Sequence, residues 1–183
     1  MVDAGCGRGE FIRYMLNAKT PSQFIGIDFD QKEIERAREV CAKLFTETGS
    51  TSFHAIDLIK NTPLTDQINL ISHDQPLILV MIEVIEHINM EDHVSLYSNL
   101  SSQFDPDYIF LTTPNADFNH FFKSMLSNGL RHLDHRFELG EKEFEEYCHG
   151  IAGYEVVEIG GVTGIDRDKI NEDAKDWEKV AVS

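Results

Sequence analysis

The sequence predicts an α/β fold in which a doubly wound, mostly parallel sheet is covered by helices on both faces. Short apolar or β-branched runs alternate with helical patterns along the chain, which is typical of α/β domains. The runs are almost continuously apolar, as expected for parallel strands buried on both faces. Of the 183 residues, 42% are apolar and 26% are charged, so residues 1–183 are expected to form one domain.

Seven segments are expected to form the sheet. Residues 1–4 resemble the tail of a strand, so the first strand is expected to be truncated. Because helical patterns separate most of the runs, the connections are expected to be strand–helix–strand crossovers. The other expected strands are residues 24–28, 52–57, 77–82, 108–113, 154–159 and 178–183.

Apolar residues at helical spacing predict the helices between these strands. The first helix contains Phe11, Ile12 and Met15, and a capping box of Asp30 and Glu33 begins the second. The third and fourth are expected over residues 91–104 and 142–150. The buried faces of the last three are expected to consist of Ile34, Ala37, Cys41, Leu44 and Phe45; of Val94, Tyr97 and Leu100; and of Phe144, Tyr147 and Cys148.

Charge and cysteine content limit the location and partners of the protein. The 32 acidic and 16 basic side chains give a formal charge of −16, which counts against strong long-range binding to phosphates. The longest apolar run, residues 77–82, is far too short to cross a bilayer, and the first residues lack the features of a secretory signal. The three cysteines form no Cys-x-x-Cys pair, so we expect a reducing, cytoplasmic location.

Three glycines spaced two apart follow the first strand and precede a helix. Such a turn lets the backbone approach a ligand closely, although an ordinary tight turn has the same pattern. A dinucleotide site would place its third glycine where Glu10 stands. Asp28 ends the next strand, where a carboxylate can accept hydrogen bonds from ribose hydroxyls. The candidate residues for a nucleoside ligand are Asp3, Gly5, Gly7, Gly9, Asp28 and Asp57.

Glu83, Glu86 and His87 follow the most apolar run at positions i, i+3 and i+4. On one side of a helical turn these side chains would converge on one point at a strand end. Two carboxylates that close repel each other, and a divalent cation between them makes the arrangement stable. The alternative is a metal-free cluster at a helix start with a hydrogen-bonded histidine.

The motifs resemble those of a broad class of methyltransferases and, more specifically, those of one family within that class. The Gly-x-Gly-x-Gly turn resembles the first motif of class I methyltransferases that bind S-adenosylmethionine, in which Asp57 would face the adenine. Four further segments together resemble the methyltransferase domain of the small-RNA 3′-terminal 2′-O-methyltransferases, which modify plant microRNAs and animal Piwi-associated RNAs and have bacterial relatives in RNA repair. These are Glu-Val-Ile-Glu-His-Ile at 83–88, Thr-Thr-Pro-Asn at 112–115, Phe-Asn at 118–119, and Arg-His-Leu-Asp-His-Arg-Phe-Glu at 131–138. The resemblance runs from Val2 to about Val182, with Leu139 where the family usually has Trp.

The resemblance implies a class I fold with a seven-stranded sheet and metal-dependent methyl transfer to the 2′-hydroxyl of the last nucleotide of a small RNA. It implies S-adenosyl-L-methionine and a divalent ion, Mg²⁺ with Mn²⁺ or Co²⁺ as alternatives, held by Glu83, Glu86, His87 and His135. An Argonaute- or Piwi-type protein is a possible carrier of the RNA, and we expect a monomer.

Several further residues are candidates for handling the RNA. His132 is a candidate general base, because a histidine can take a proton near neutral pH. Aromatic and apolar residues that could stack on the terminal base, or simply belong to the core, are Phe118, Phe121, Phe122 and Met125. The candidate RNA contacts are Asn115, Lys123, Arg131 and Arg136.

The sequence leaves two other functions open. A metal-free methyltransferase for a small metabolite would use the glycine turn and Glu86-His87 but would not need His135. A non-catalytic subunit that binds RNA ends would keep the fold without turnover. A metallohydrolase is disfavoured, because it leaves the glycine turn and Asp28 unexplained.

Overall fold

The computed structural model describes residues 1–18, 23–42, 50–60, 75–122 and 125–161. The chain divides into two compact units, Met1–Thr113 and Pro114–Ser183. The expectation of one catalytic domain over residues 1–183 stays a prediction. No helix within the described ranges combines the length and the apolar character that a membrane span requires.

The first unit contains a parallel sheet. Its strands are β1 (Val2–Ala4), β2 (Gln23–Asp28), β3 (Ser50–Ala55), β4 (Ile78–Ile82) and β5 (Tyr108–Thr112). The order in the sheet is β3-β2-β1-β4-β5, and every neighbouring pair is parallel. The α/β fold with a parallel sheet is therefore confirmed.

Within the described ranges, three α-helices lie in the first unit and one in the second. They are α1 (Glu10–Asn17), α2 (Gln31–Ala42), α3 (His93–Phe104) and, in the second unit, α4 (Glu141–His149). Short 3₁₀ helices occur at Ile85–His87, Met90–Asp92 and Ala116–Phe121. The four predicted helices are thus confirmed, with small shifts at their ends.

Side chains alternate between the two faces of the sheet and contribute to two hydrophobic clusters among the described residues. In β2, Phe24 packs with α1 and α2 residues such as Ile12 and Ile34, whereas its neighbour Ile25 joins the cluster of the opposite face. That second cluster contains Leu96 and other apolar residues of α3. Both faces are covered, as the apolar strands predicted.

The order in which strands are added to the sheet reverses at β1. The chain moves from β1 outward through β2 and β3, and then returns to pair β4 with the other side of β1. Asp3 of β1 accordingly pairs with Gly26 on one side and Val80 on the other. In doubly wound sheets, ligands bind beyond the carboxyl ends of the strands at such a switch point.

Five of the seven expected strands are present in the sheet. The other two expected strands are residues 154–159 and 178–183. Residues 154–159 are described and do not form a strand. A strand needs a neighbour for its ladder of hydrogen bonds, and no ladder partner for this segment occurs within the described ranges. The expected strand at 178–183 lies outside the described residues, as do Leu44 and Phe45 of the second helix.

Two details of the helices also correct the predictions. Asp30 caps α2 by accepting a hydrogen bond from the Lys32 amide, but the Asp30 amide donates to Asp28, and Glu33 pairs with Arg36 instead. In α3 the buried face is His93, Leu96, Asn99, Leu100 and Phe104, whereas Val94 is exposed. The apolar stripe therefore runs through position 96 rather than 94.

Candidate active site

A cavity of about 350 Å³ opens at the carboxyl ends of the first four strands of the sheet. Its wall is made of Gly5 after β1, Asp28 at the end of β2 and Phe29 after it, residues 56–59 after β3, and Glu83, Val84, His87 and Ile88 after β4. This volume lies in the range of small-molecule and cofactor pockets. Residues of both predicted groups, the nucleoside group and the metal group, thus line one cavity.

The glycine turn folds tightly against β2 and against Val84, which lies two residues beyond β4. Gly5 has φ 83°, and a Cβ there would lie 2.5 Å from Cγ2 of Val84, so no other residue fits without movement. The amides of Gly5 and Cys6 donate to the Ile27 carbonyl at 2.7 and 2.9 Å. Gly9 does not line the cavity but packs on α2, since a Cβ there would lie 3.2 Å from Ala37.

Asp28 links the glycine turn to the start of α2. Its Oδ2 accepts the Gly7 amide at 2.9 Å and its Oδ1 accepts the Asp30 amide at 2.9 Å. These two bonds fix the plane of the carboxylate. Each oxygen has a second lone pair, so the group can still accept hydrogen bonds from the hydroxyls of a ribose.

Asp57 lines the same cavity two residues beyond β3. Its oxygens accept the Ile59 amide at 3.1 Å and pair with Lys60 Nζ at 2.8 Å. The hydrogen bond from Lys60 holds the pKa of Asp57 below its usual range. Asp57 is therefore a fixed anion on the cavity wall.

Asn99 holds this part of the wall in place and was missed by the sequence analysis. Its side-chain Nδ2 donates to the carbonyls of Leu58 and Ile59 at 3.1 and 3.0 Å. The available signal is a polar residue within the apolar stripe of α3, next to Leu100. A buried side-chain amide needs hydrogen-bond partners, and here its two hydrogen bonds fix the loop that follows β3.

Asp3 differs from its predicted position at a strand end. It lies within β1, is 3% exposed and is not part of the cavity wall. Burial, with a further contribution from the charge of Asp28, raises the pKa of Asp3 to about 7. Its Oδ2 has no hydrogen-bond partner within the described part of the chain.

Glu83 adopts a left-handed backbone conformation directly after β4, with φ 54°. Such a conformation is uncommon for a residue other than glycine and costs about 1 kcal/mol or more. Thr112 holds it there: the Glu83 amide donates to the Thr112 carbonyl at 3.1 Å, and the Thr112 hydroxyl donates to Glu83 Oε1 at 3.1 Å. Glu83 therefore precedes the 3₁₀ turn, and the expectation that one helical turn carries all three metal candidates is wrong.

Glu86 and His87 lie within that 3₁₀ turn and face different surroundings. The Glu86 side chain is fully buried, and its Oε2 accepts a hydrogen bond from the Thr113 hydroxyl at 3.1 Å. His87 lines the cavity. One ligand atom of each residue lies within 4.8 Å of the other. A carboxylate and an imidazole at this spacing can bind one divalent ion.

In the second unit, Glu138 is the centre of a hydrogen-bond network around His135. Its side chain is 1% exposed, and its Oε1 lies 2.5 Å from His135 Nδ1. Burial raises the pKa of Glu138, but hydrogen bonds from the Arg131 amide, His135 and Asn119 outweigh this and hold the pKa below its ordinary value. His135 is thus positioned by a buried carboxylate.

Two of the predicted RNA contacts make internal hydrogen bonds in this unit. The Arg131 guanidinium donates to Asn119 Oδ1 and to the Asn115 carbonyl, and lies 4.4 Å from the Phe122 ring centre. The Asn115 side chain accepts the Asp117 amide at the start of a 3₁₀ helix. Both residues support the local fold, and their contact with RNA stays a prediction.

The remaining predicted RNA residues are more accessible. The His132 side chain is 60% exposed and Arg136 is exposed. Phe121 is 40% exposed and its ring lies tilted against that of His120, with 3.8 Å between ring centres, whereas Phe118 and Met125 are half-buried. Lys123 lies outside the described residues.

The chain is similar in sequence to proteins named small RNA 2′-O-methyltransferases. The small RNA 2′-O-methyltransferase of Tetrahymena thermophila is 28% identical over 170 residues, which are 88% of this chain and 40% of that protein. The protein of the same name from Xenopus tropicalis is 28% identical over 177 residues, which are 93% of this chain and 46% of that protein. The chain spans less than half the length of both relatives.

A solved structure extends the similarity to three dimensions. The methyltransferase domain of bacterial CtHen1-CN matches with a TM-score of 0.64 at 25% identity, over 91% of this chain and 83% of that chain. The resemblance drawn from the sequence motifs is confirmed by these names. A family model described as a methyltransferase domain matches residues 1–158, which include all five strands of the sheet. The chain therefore belongs to the methyltransferase domain family.

Proposed function

We propose that this protein transfers a methyl group from S-adenosyl-L-methionine to the 2′-hydroxyl of the 3′-terminal nucleotide of small RNAs, and that a divalent ion is required. The methyltransferase domain family and the names of the curated relatives support the cofactor and the RNA substrate. The metal and the terminal nucleotide are the finer parts of the proposal. Mg²⁺ is the expected ion, with Mn²⁺ or Co²⁺ as alternatives.

The observation that carries the proposal is the shared cavity. Asp28 and Asp57 on its wall suit the ribose and adenine of the cofactor, while Glu83 and His87 belong to the same wall. A methyl donor in the nucleoside part would therefore lie next to the side chains proposed to hold the ion. Reacting groups held within contact distance need no further diffusional encounter, which is a major source of rate acceleration.

The donor set fits a divalent cation. Glu83, Glu86, His87 and His135 would supply two carboxylates and two imidazoles, a hard-to-borderline set suited to Mg²⁺, Mn²⁺ or Co²⁺. Glu86 is fully buried, and a buried carboxylate is costly unless a positive charge offsets it. Bound there, the ion would lower the pKa of the 2′-hydroxyl and restrict its orientation.

The chain's own residues divide the remaining work. Asp28 and Asp57 would hold the cofactor nucleoside, and the tight turn at Gly5 would give it backbone access. The cofactor would supply the methyl group to the 2′-oxygen, its carbon–sulfur bond breaking to leave a thioether, and the hydroxyl proton would have to leave to a base. His132 is our candidate for that base, because its ring is exposed and an imidazole accepts protons near neutral pH.

Contacts with the RNA are assigned to the second unit. Arg136 is exposed and is our first candidate for a phosphate contact; Lys123 and Arg131 complete the proposed set. The exposed ring of Phe121 is a candidate for stacking on the last base. Because few cations are involved, RNA binding should depend only weakly on salt. Delivery by an Argonaute- or Piwi-type protein and a monomeric, cytoplasmic enzyme are part of the proposal.

The proposal is tested with short RNAs that differ only in the last sugar. The protein is incubated with labelled S-adenosyl-L-methionine and RNA ending in a normal ribose, a 2′-deoxyribose or a 3′-deoxyribose, with Mg²⁺ or with a chelator. We expect labelling of the normal terminus alone, and only with Mg²⁺. Chelator-insensitive labelling would exclude the metal, and labelling of the 2′-deoxy RNA would exclude the terminal 2′-oxygen.

A further inference from the structure

The Glu138 carboxylate accepts hydrogen bonds from three groups of the second unit. Oε1 accepts the Arg131 amide at 2.7 Å and lies 2.5 Å from His135 Nδ1. Oε2 accepts Asn119 Nδ2 at 2.6 Å. A carboxylate with a 1% exposed side chain would be costly in isolation, and these contacts supply its stabilisation.

The direction of each hydrogen bond follows from the network itself. A backbone amide can only donate, so Oε1 accepts from Arg131. Arg131 Nε, also an obligate donor, lies 2.5 Å from Asn119 Oδ1, which orients the Asn119 amide so that its NH₂ group faces Glu138 Oε2. Both carboxylate oxygens are therefore acceptors, and the remaining contact requires a proton on His135 Nδ1.

A neutral histidine with its proton on Nδ1 carries its lone pair on Nε2. We propose that Glu138 is a positioning residue, which fixes the ring and the tautomer of His135 so that Nε2 is offered to the divalent cation. This inference rests on the proposed function, in which His135 is a ligand. Carboxylates that accept a hydrogen bond from a metal-binding imidazole orient the ring and increase its basicity, and their loss typically lowers metal affinity 10- to 100-fold.

The same segment contains a natural comparison. His132 lies near the Asp134 carboxylate at 3.7 Å, but their side chains are 60% and 75% exposed. The Asp134 amide donates to His132 Nδ1 at 3.3 Å, so that nitrogen acts as an acceptor. The Glu138 carboxylate thus fixes the tautomer of His135, whereas the exposed Asp134 carboxylate does not fix that of His132.

The first measurement uses the full chain without metal. At about pH 8.5, where an ordinary imidazole is neutral, two-bond ¹H–¹⁵N spectra distinguish the two tautomers of each histidine. We expect His135 to carry its proton on Nδ1. A proton on Nε2 of His135 would overturn the inference while leaving the proposed function intact.

The second measurement is the affinity for Mn²⁺, determined from the electron paramagnetic resonance signal of the free ion. Glu138→Gln keeps the shape of the side chain but removes the charge, and we expect Mn²⁺ binding to weaken by about 10- to 100-fold. Asp134→Asn, the matched exposed control, should stay within about twofold of the wild type. A folded Glu138→Gln variant with wild-type affinity would overturn the inference.

A third variant separates positioning from stability. Asn119→Ala removes another hydrogen bond of the network but leaves the Glu138–His135 pair. If Glu138 only stabilised the fold, the two variants would weaken Mn²⁺ binding in proportion to their losses of stability. We expect Asn119→Ala to remain within about threefold of the wild type at a comparable loss of stability. Absence of Mn²⁺ binding by the wild type would overturn the proposed function together with this role.

Discussion

The hydroxyl of Thr113 donates a hydrogen bond to the fully buried carboxylate of Glu86 over 3.1 Å. Thr113 follows β5, and Glu86 lies in the 3₁₀ turn that follows β4. Two neighbouring strand ends thus combine to orient one carboxylate. Since the pairing of β4 with β5 fixes this distance, the sheet itself sets the position of a proposed metal ligand.

Replacing Glu86 separates the proposed metal site from the cofactor pocket. Glu86→Gln keeps the size of the side chain and its contact with Thr113 but weakens its ability to bind a cation. We expect methyl transfer to fall by more than about 100-fold, with affinity for S-adenosylhomocysteine, measured by calorimetry, nearly unchanged. Glu91→Gln, at an exposed acid nearby, is the control. A comparable loss of cofactor affinity would assign Glu86 to the nucleoside pocket instead.

Glycine substitutions at Glu83 and Asp105, residues other than glycine that have a left-handed backbone, should separate stability from function. Asp105 ends α3 with φ 46°, and Glu83 follows β4 with φ 54°. Glycine relieves about 1 kcal/mol of strain at such positions. Asp105→Gly should therefore raise the free energy of unfolding in urea and leave methyl transfer unchanged.

Glu83→Gly gains the same relief but loses the hydrogen bond from the Thr112 hydroxyl, about 0.5 to 1.5 kcal/mol. Its stability should therefore stay close to that of the wild type, while metal-dependent methyl transfer is lost. Retention of full activity by this variant would remove Glu83 from the proposed ligand set.

The buried carboxyl of Asp3 predicts a pH dependence of stability. Its pKa is raised to about 7 in the folded protein and returns to its ordinary value, near 3.8, on unfolding. Between these values the unfolded chain has lost the proton that the folded chain keeps. This group therefore makes the free energy of unfolding decrease as pH rises from about 4 to about 7, by up to ~1.4 kcal/mol per pH unit.

Asp3→Asn tests this directly because asparagine resembles the protonated carboxyl and does not titrate. Urea unfolding of the two proteins without cofactor, at several pH values, gives the difference in stability. The variant should gain on the wild type as pH rises from about 4 to about 7. A constant difference across this range would show that the folded Asp3 titrates near its ordinary pKa.

Asn99 should control the cofactor pocket from outside it. Asn99→Asp places a carboxylate opposite the carbonyls of Leu58 and Ile59, which now face an acceptor instead of a donor. We expect a loss of about 2 kcal/mol in the free energy of unfolding and roughly tenfold weaker binding of S-adenosylhomocysteine. Ser95→Ala, exposed on the same helix, should change neither by more than about 0.5 kcal/mol. Unchanged affinity in a folded Asn99→Asp variant would contradict this role.

The sheet and its cleft were predictable because their signals are local. Apolar runs ending in Asp28 and Ile82 are strands by composition alone, and the glycines at Gly5 and Gly7 mark the turn that folds back on β2. The prediction of a strand at residues 154–159 was wrong, because strand pairing depends on a neighbouring strand that composition does not reveal. Long-range pairing, rather than local propensity, decides such segments.

The details of the site depend on tertiary contacts that sequence spacing cannot supply. The left-handed conformation of Glu83 contradicts a helical turn and is maintained by Thr112, a residue of the next strand. The sequence identifies Arg131 as a candidate RNA contact, but its guanidinium donates hydrogen bonds to Asn119 and Asn115 within its own unit. Glu138 belongs to a recognisable motif, yet only the geometry reveals its contact with His135.

Anomalous scattering from a crystal soaked in Mn²⁺ tests the proposed metal site most directly. We predict one strong anomalous peak within coordination distance of Glu83, Glu86, His87 and His135, beside the cavity that Asp28 and Asp57 line. A crystal with the soaked ion elsewhere, and no peak among these four side chains, would contradict it.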